Sequence, residues 1–210
     1  MARQIPDARR EAPAVDDLPA SQRARRDRIV ETAVELLATD DYDKIHMRLV
    51  ADRADVALGT LYRYFPSKEQ LFATALIRWV QTFEQSYERS IRSAESDPVV
   101  RLRRTLGVAL KGFERSPRFF GLLIALQSSD DPEVAARLET FTGTTSSVVR
   151  DALEGVDERW VEPIETLVWA AVFNLLRGWS FGAYPMAEVR RRLDECVDVI
   201  FGSPLGDARG

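Results

Sequence analysis

Prolines and turn-forming residues divide this chain into segments that each carry the apolar periodicity of a helix. In the first segment Ile29, Ala33, Leu36 and Leu37 recur at spacings of three and four residues, which places them on one helical face. Proline ends a helix because it lacks the backbone N–H donor and clashes with the preceding turn. No segment alternates with the period of two that is typical of a strand. The sequence therefore predicts an all-α protein with helices over residues 21–39, 47–54, 58–65, 67–93, 98–115, 117–127, 132–154, 158–181 and 186–201.

Two short predicted helices lie close together near the start of the chain. The first, 47–54, is followed by a tight turn, Asp55-Val56-Ala57, and Pro66 ends the second, 58–65. Ser67 then has the position of an N-cap, and Gln70 completes the spacing of a capping box. With the preceding helix, which Ser21 is predicted to cap, they form a compact unit shaped like a helix-turn-helix.

The charge distribution limits how this unit can bind nucleic acid. The 210 residues include 29 Lys and Arg against 33 Asp and Glu, and residues 1–68 have 12 of each. DNA binding would therefore need a few well-placed cations rather than a broad basic surface. The chain has no apolar run near the roughly 20 residues of a membrane span, no secretory signal, and one cysteine, Cys196. We expect a cytoplasmic protein without membrane contact, with residues 1–20 as a disordered arm.

The second short helix, LGTLYRYF, and the residues after it are rich in polar and aromatic groups. In a helix-turn-helix the second helix enters the major groove of DNA. Gly59 would allow a close approach because it has no Cβ, and Arg63 could pair with guanine. Leu61 and Phe65 would point into the small core. The groups able to bind phosphate oxygens are the hydroxyls of Thr60, Tyr62 and Tyr64 and the amino group of Lys68.

The stretch MRLVADRADVALGTLYRYFPSKEQLF, from Met47 to Phe72, resembles the DNA-binding region of the TetR family of transcriptional repressors. The shared features are the pattern A-x-x-A-x-V-x-x-G-T-L-Y-x-Y-F-x-S-K-E-x-L and a preceding helix over 27–38 with its turn, DDYDKI. The resemblance implies a homodimeric repressor without a cofactor. It implies a three-helix DNA-binding domain over residues 21–68 and an effector-binding and dimerisation domain over residues 69–210.

The resemblance also implies DNA contacts at particular residues. Contacts with the DNA backbone are implied for Arg48, Thr60, Tyr64 and Lys68. Contacts with the groove or its phosphates are implied for Leu58, Gly59, Tyr62 and Arg63. Leu58 replaces the polar residue often found at its position, so base readout would rest on Arg63 and on apolar contact with a thymine methyl. Arg23, Arg25 and Arg26 precede the helix over 27–38 and either reach a minor groove or form a solvated basic start.

Aromatic and aliphatic residues of the second domain are candidates for an apolar effector cavity, although each of them could equally belong to the core. The predicted lining residues are Trp79, Phe83, Tyr87, Phe113, Phe120, Leu123, Gln127, Phe141, Trp169 and Phe173. Candidate polar groups are Gln127, Ser128, Thr142 and Asn174. Arg118 could bind an anionic head group or lie on the surface. The ending LLRGWSFGAYPMAEVRRRLDECVDVIFG, with RADVALGTLYRYFPSK, resembles actinobacterial repressors of sterol and lipid breakdown, which implies an acyl-CoA, sterol or lipid-derived effector.

The last two predicted helices carry apolar stripes, and the resemblance implies that they pair with their copies as a four-helix bundle. The predicted dimer interface is Leu167, Ala171, Asn174, Val189, Leu193, Cys196, Val197 and Ile200. A helix hairpin packed within its own domain has similar stripes, so part of each stripe is expected to be intramolecular. Two subunits would set the recognition helices roughly 34–36 Å apart, or a multiple of this, on a near-palindromic operator.

The fourth predicted helix, 67–93, would belong to both domains. Lys68 lies at its DNA end, whereas Phe83 and Tyr87 lie near the predicted cavity. We expect effector binding to move this helix and separate the two DNA-binding domains, by favouring one of two arrangements.

Other function classes fit the residues less well. An enzyme needs a catalytic set, but the one histidine, His46, lies at the edge of a predicted helix, where capping or surface hydrogen bonding is expected. Cys196 lies on an apolar stripe, and the sequence has neither a phosphate-binding glycine loop nor metal-ligand spacing. The negative net charge disfavours a nucleoid protein of the same fold, while a transcriptional activator stays an open alternative.

Overall fold

The computed structural model describes residues 18–91 and 97–202, and the side chains of all of these except 83–91. Every regular element in these ranges is helical, which confirms the all-α prediction, and each predicted boundary within them lies within two residues of the observed one. The helices are α1 (Ala20–Thr39), α2 (Met47–Arg53), α3 (Leu58–Tyr64), α4 (Lys68–Ile91), α5 (Pro98–Arg115), α6 (Arg118–Leu126), α7 (Pro132–Ala152), α8 (Glu158–Ser180) and α9 (Met186–Gly202), with a single 3₁₀ turn at Tyr42–Lys44.

The turn between α2 and α3 is set by backbone geometry at Asp55. This residue has φ of 53°, in the left-handed region that aspartate tolerates better than most residues. The N–H of Val56 donates to the carbonyl of Ala51 at 3.0 Å, and the N–H of Asp55 donates to Asp52 at 3.4 Å. This pair of bonds closes the end of α2 as a Schellman motif. Nε of Arg28 in α1 donates to the carbonyl of Ala54 at 2.9 Å, so α1 holds the same turn in place.

Side-chain caps begin several helices. The hydroxyl of Ser67 accepts from the N–H of Gln70 at 3.1 Å, as the sequence predicted. The carboxylates of Asp97, Asp131 and Asp157 cap α5, α7 and α8. Such caps satisfy N–H groups that have no partner within the helix.

The first helix begins differently from the prediction. Ser21 does not cap it, because α1 starts at Ala20 after Pro19, whose carbonyl accepts the N–H groups of Gln22 and Arg23. The predicted disordered arm is wrong at its end, since Leu18 is buried in the core. Residues 1–17 of that prediction lie outside the described residues.

The long helix α4 packs against both α1 and α7. Near its start, the side chain of Gln70 does not complete the predicted capping box. Its Nε2 donates instead to Oδ2 of Asp131, at the start of α7, over 2.9 Å. Further along, Arg78 forms an ion pair with Asp27 of α1 at 2.9 Å. These contacts fix α4 between the first three helices and the rest of the chain.

The helix α9 packs against α5 and α8 of its own subunit. Val189, Leu193 and Val197 lie on its inner face and are buried. An ion pair of 2.6 Å between Arg190 and Glu114 joins α9 to α5 at the edge of this contact. The prediction that these three apolar residues form the dimer interface is therefore wrong, because their side chains already fill the core of the subunit.

Candidate DNA-binding and effector sites

One face of α3 is exposed along its length, as predicted for a recognition helix. Leu58 and Tyr62 are 37% and 46% exposed, and Gly59 and Arg63 are exposed beside them. A Cβ added at Gly59 would meet no atom within 4 Å. On the opposite face Leu61 is fully buried, so the helix presents a defined outer surface.

A cation–π contact between α1 and α3 holds this surface. The guanidinium carbon of Arg26 lies 4.9 Å from the ring centroid of Phe65, which is buried just after α3. Burial lowers the pKa of Arg26 below its usual value. Arg26 is thus an internal contact rather than a free basic residue. Arg23 and Arg25 are exposed, and all three arginines lie inside α1. The prediction that they precede a helix over 27–38 is therefore wrong, whereas the prediction of a helix from residue 21 is confirmed.

The predicted phosphate contact of Tyr64 is wrong because this side chain points inward. It is only 3% exposed, and its hydroxyl is buried without a hydrogen-bond partner. A buried polar group without a partner costs about 1–3 kcal/mol, so Tyr64 stabilises the domain through its ring and not its hydroxyl. The signal that could have revealed this is its spacing of three residues from the buried Leu61.

The amino group of Lys68 is bound within the subunit. Its Nζ donates to the carbonyl of Tyr42 at 2.6 Å and lies 4.1 Å from the centroid of the Tyr42 ring. Burial lowers the pKa of Lys68 below its usual value. The Tyr42 ring packs edge-on against Phe72 with centroids 5.3 Å apart, so Lys68 joins the start of α4 to the 3₁₀ turn. An ammonium group has three N–H donors, and its contact with a phosphate stays a prediction.

Three other polar residues lie near this surface. Arg48 is exposed in the first turn of α2, and Thr60 is half-buried in α3. His46 occupies the N-cap position of α2, but its side chain forms no cap hydrogen bond, so the predicted capping role is wrong. The side chain is exposed, and surface hydrogen bonding stays a prediction.

A cavity of about 200 Å³ lies between α4, α5, α6, α7 and α8. Eight of the ten predicted lining residues border it, namely Trp79, Phe113, Phe120, Leu123, Gln127, Phe141, Trp169 and Phe173. The other two, Phe83 and Tyr87, lie outside the described side chains. Aromatic rings form one wall, where the centroids of Trp79 and Phe113 are 5.0 Å apart and those of Phe113 and Phe120 are 5.6 Å apart.

The polar groups of the cavity come mainly from α7. Of the predicted ones, Gln127 and Thr142 border the cavity, whereas Ser128 and Asn174 do not. Sequence reasoning missed the threonines at positions 105, 144 and 145, which also line it. For Thr144 and Thr145 the run TFTGTTSS was the available signal, because a hydroxyl inside a helix can bond back to the preceding turn and leave its methyl group toward a cavity.

Comparison with known proteins shows the family of this chain. Residues 29–75 match the family of bacterial regulatory proteins called the tetR family. Over 186 residues, 87% of this chain and 83% of the relative, the chain is 31% identical to the HTH-type transcriptional repressor KstR of Mycobacterium tuberculosis. The chain belongs to the TetR family. It is also 30% identical to KstR of Rhodococcus jostii over 192 residues, 89% of this chain and 88% of that protein.

A solved TetR transcriptional regulator from Rhodococcus sp. RHA1 has the same fold as this TetR-family regulator. The two superpose with a TM-score of 0.72 at 23% identity, over 88% of this chain and 99% of the other. The sequence-based resemblance to the TetR family is thus confirmed, and the relatives from Mycobacterium and Rhodococcus fit the actinobacterial expectation. These matched relatives are transcriptional regulators rather than enzymes, and this regulator is a DNA-binding transcription factor.

The helix α6 links the cavity of this TetR-family regulator to its DNA-binding end. At its start, Nε of Arg118 lies 3.1 Å from Oδ1 of Asp41, and Nη1 donates to the carbonyl of Ala38 at 3.0 Å. Phe119 stacks on Trp79 with centroids 4.4 Å apart, and Phe120 borders the cavity. Arg118 is half-exposed, and its contacts join α6 to the end of α1. The predicted alternative, that Arg118 binds an anionic head group of the effector, has no support in these contacts.

The outer faces of α8 and α9 carry exposed apolar side chains. Leu167 of α8 is 57% exposed, and Phe181, the residue after the end of α8, is 71% exposed. Val199 of α9 is 70% exposed. Sequence reasoning named Leu167 but missed Phe181 and Val199. Asn174 is also exposed, while Ala171, Cys196 and Ile200 are half-buried, so these predicted interface residues are at least partly accessible.

The described part of the chain has neither a membrane-spanning helix nor a metal-binding cluster. Among its helices, none combines the length and the apolar character needed to cross a membrane. Within the same residues, no cluster of three or more His, Cys, Asp or Glu side chains is arranged to hold a metal ion.

Proposed function

We propose that this TetR-family regulator is a homodimeric repressor that binds a near-palindromic operator and is released from it by an apolar effector. The exposed face of α3 is the observation that carries the proposal. It combines one cation, one phenol and one apolar side chain on a helix, and the major groove, about 12 Å wide, admits an α-helix. A domain with balanced charge needs such a localised surface to bind DNA.

The residues on this surface have separate roles in the proposal. Arg63 pairs with a guanine, Leu58 contacts a thymine methyl, and Gly59 allows the helix to approach the bases closely. Phosphate contacts come from Tyr62 and Thr60 on α3, from Arg48 on α2 and from Lys68 at the start of α4. The DNA-binding domain then comprises residues 21–68 and the effector-binding and dimerisation domain residues 69–210, with α4 shared between them.

The dimer forms through the outer faces of α8 and α9. Leu167, Phe181 and Val199 are exposed apolar residues that a partner subunit would cover, together with the accessible parts of Ala171, Asn174, Cys196 and Ile200. Exposed apolar patches of this kind mark interaction surfaces. A two-fold axis through this contact would place the two copies of α3 on the same side of the DNA.

Effector binding reaches DNA along two helices in this proposal. Trp79 of α4 and Phe120 of α6 both border the cavity. Both helices begin beside the DNA-binding end, where Lys68 contacts Tyr42 and Arg118 contacts Asp41 and Ala38. A ligand that fits the cavity better in one arrangement of α4 and α6 shifts the equilibrium by its difference in affinity for the two states. Such coupling is usually about 1–3 kcal/mol.

Selection of binding sites from random double-stranded DNA tests the DNA-binding part of the proposal. We expect a near-palindrome whose half-sites are centred about 10 base pairs apart or a multiple of this. Recovery of unrelated sequences, or of a single half-site, would contradict it.

Replacement of Val199 by arginine tests the dimer. We expect Val199→Arg to give a monomer in sedimentation velocity, because a cation would be buried in the proposed interface. Val100→Arg is the matched control, since Val100 is an exposed apolar residue of α5, outside this surface. A dimeric Val199→Arg variant would place the interface elsewhere.

A further inference from the structure

The first residue of α3 is a leucine on the exposed face of that helix. Leu58 is 37% exposed, whereas Leu61, on the opposite face, is fully buried. In a helix-turn-helix the N-terminal residues of the recognition helix are the ones that contact base edges. In the proposed complex Leu58 therefore meets a base pair.

The residues around Leu58 leave its side chain open to DNA. Gly59 follows it, and a Cβ added there would meet no atom within 4 Å. Tyr62 is 46% exposed and lies four residues after Leu58, which places the two side chains next to each other on one helical face. We call Leu58 and Tyr62 the apolar ridge of α3. Arg63 is exposed and lies four residues after Gly59, in a second row beside this ridge.

The chemistry of leucine limits what the ridge can recognise. Leucine has no hydrogen-bonding side-chain group, so against a polar base edge it would displace water without replacing the lost hydrogen bonds. The apolar group that a standard base presents in the major groove is the C5-methyl group of thymine. Uracil has hydrogen at C5 and the same hydrogen-bonding groups as thymine. Exchange of thymine for uracil therefore removes only the apolar contact.

A second pyrimidine can present the same methyl group. 5-Methylcytosine has a methyl group at C5, whereas cytosine has hydrogen there. In the major groove thymine presents the O4 acceptor and cytosine presents an amino donor, and leucine forms a hydrogen bond with neither. A contact made only with the methyl group therefore responds to that group on either base.

We propose that the apolar ridge of α3 reads the C5-methyl group of a pyrimidine, so that methylation of cytosine at the contacted position strengthens operator binding. The inference rests on the proposed role of α3 as the recognition helix, and it adds regulation of that site by the methylation state of the DNA. One methyl group buried in one half-site is expected to strengthen binding about fourfold. Two methyl groups, one in each half-site, are expected to strengthen it about fifteenfold.

Fluorescence anisotropy with modified operators tests this inference. Each thymine of the selected operator is replaced in turn by deoxyuridine, in both half-sites together. At least one replacement is expected to weaken binding about fifteenfold. At that position, duplexes with cytosine and with 5-methylcytosine are then compared, and the methylated duplex is expected to bind about fifteenfold more tightly than the unmethylated one.

Three variants assign the methyl effect to the ridge. Leu58→Ala shortens the apolar side chain and is expected to reduce both methyl effects to about twofold or less. Tyr62→Phe keeps the ring but removes the hydroxyl proposed to bind a phosphate, so it is expected to weaken binding to every duplex and to keep both methyl effects. Val100→Ala, at an exposed apolar position of α5, is the control and is expected to change neither affinity nor methyl effect.

Three results would overturn the inference: unchanged binding after every deoxyuridine replacement, equal affinities for the cytosine and 5-methylcytosine duplexes, or methyl effects of full size in Leu58→Ala. In each of these cases a selected operator exists and is bound, so operator recognition itself is supported. Selection that recovers unrelated sequences contradicts the proposed function and the inference with it.

Discussion

Replacement of Asp131 by alanine tests the contact that joins the DNA end of α4 to α7. Oδ1 of Asp131 accepts from the backbone N–H of Glu133 at 2.9 Å and caps α7. Oδ2 accepts from Nε2 of Gln70, also at 2.9 Å. Gln70 is buried, and the carboxylate of Asp131 is the acceptor of its amide.

These contacts set the size of the expected effect. Loss of an N-cap costs about 1 kcal/mol, and a buried amide donor left without an acceptor costs about 1–3 kcal/mol. Asp131→Ala is therefore expected to lower the free energy of unfolding by about 2–4 kcal/mol. Asp131→Asn keeps the cap and can still bond to Gln70 after a flip of that amide, so a loss of about 1 kcal/mol or less is expected.

The effect also depends on pH. The hydrogen bond from Gln70 holds the pKa of Asp131 below its ordinary value of 3.8. Because the folded-state pKa is the lower one, the stabilisation is complete above the unfolded-state pKa and is lost as pH falls through the folded-state pKa. The advantage of Asp131 over the asparagine variant should shrink over that acidic range.

Urea unfolding followed by circular dichroism measures each of these differences. The comparison is made at neutral pH and then in steps below about pH 4. A loss for Asp131→Ala no larger than the roughly 1 kcal/mol of the cap alone would refute the role of Gln70. An advantage over asparagine that persists unchanged in acid would refute the role of the charge.

Three substitutions test packing at single sites. Tyr64→Phe removes a buried hydroxyl without a partner, so we expect unchanged or higher stability in urea unfolding and unchanged operator affinity; a loss of affinity would restore the phosphate role of Tyr64. Gly178→Ala places a Cβ 2.1 Å from Oη of Tyr184 and is expected to cost about 1–3 kcal/mol. At Gly121, an exposed helical position with open space, alanine should instead stabilise by about 1 kcal/mol, and equal effects at the two glycines would contradict the close packing of Tyr184.

Features determined by neighbouring residues were predictable from the sequence. Pro66 and Ser67 mark the end of one helix and the start of the next, and the cap of Ser67 is present as predicted. The orientation of α3 also follows from local spacing, since Leu61 and Phe65 are buried while Tyr62 and Arg63 are exposed. The cavity was predictable because large apolar residues repeat at helical spacing in segments that share one core.

Features that depend on how distant helices meet were not predictable. Gln70 bonds to Asp131, which is 61 positions away, and no local pattern indicates that choice over a capping box. Apolar stripes on α9 do not reveal whether they face the subunit's own core or a partner, and Val197 proved to be internal while Val199 is exposed. Tyrosine carries both a ring and a hydroxyl, so Tyr64 fits a core or a surface equally well until its neighbours are known.

The central claim is that the exposed face of α3 reads the operator, and fluorescence anisotropy with Arg63→Ala tests it most directly. Affinities are measured for the selected operator and for a scrambled duplex at one fixed salt concentration, because affinity for DNA depends strongly on salt. Arg115→Ala, a change of an exposed arginine on α5, is the control. We predict that Arg63→Ala weakens operator binding by about tenfold to a hundredfold and lowers the ratio of operator affinity to scrambled-duplex affinity. The control is expected to change neither quantity. An unchanged ratio of operator to scrambled affinity in Arg63→Ala would contradict the claim.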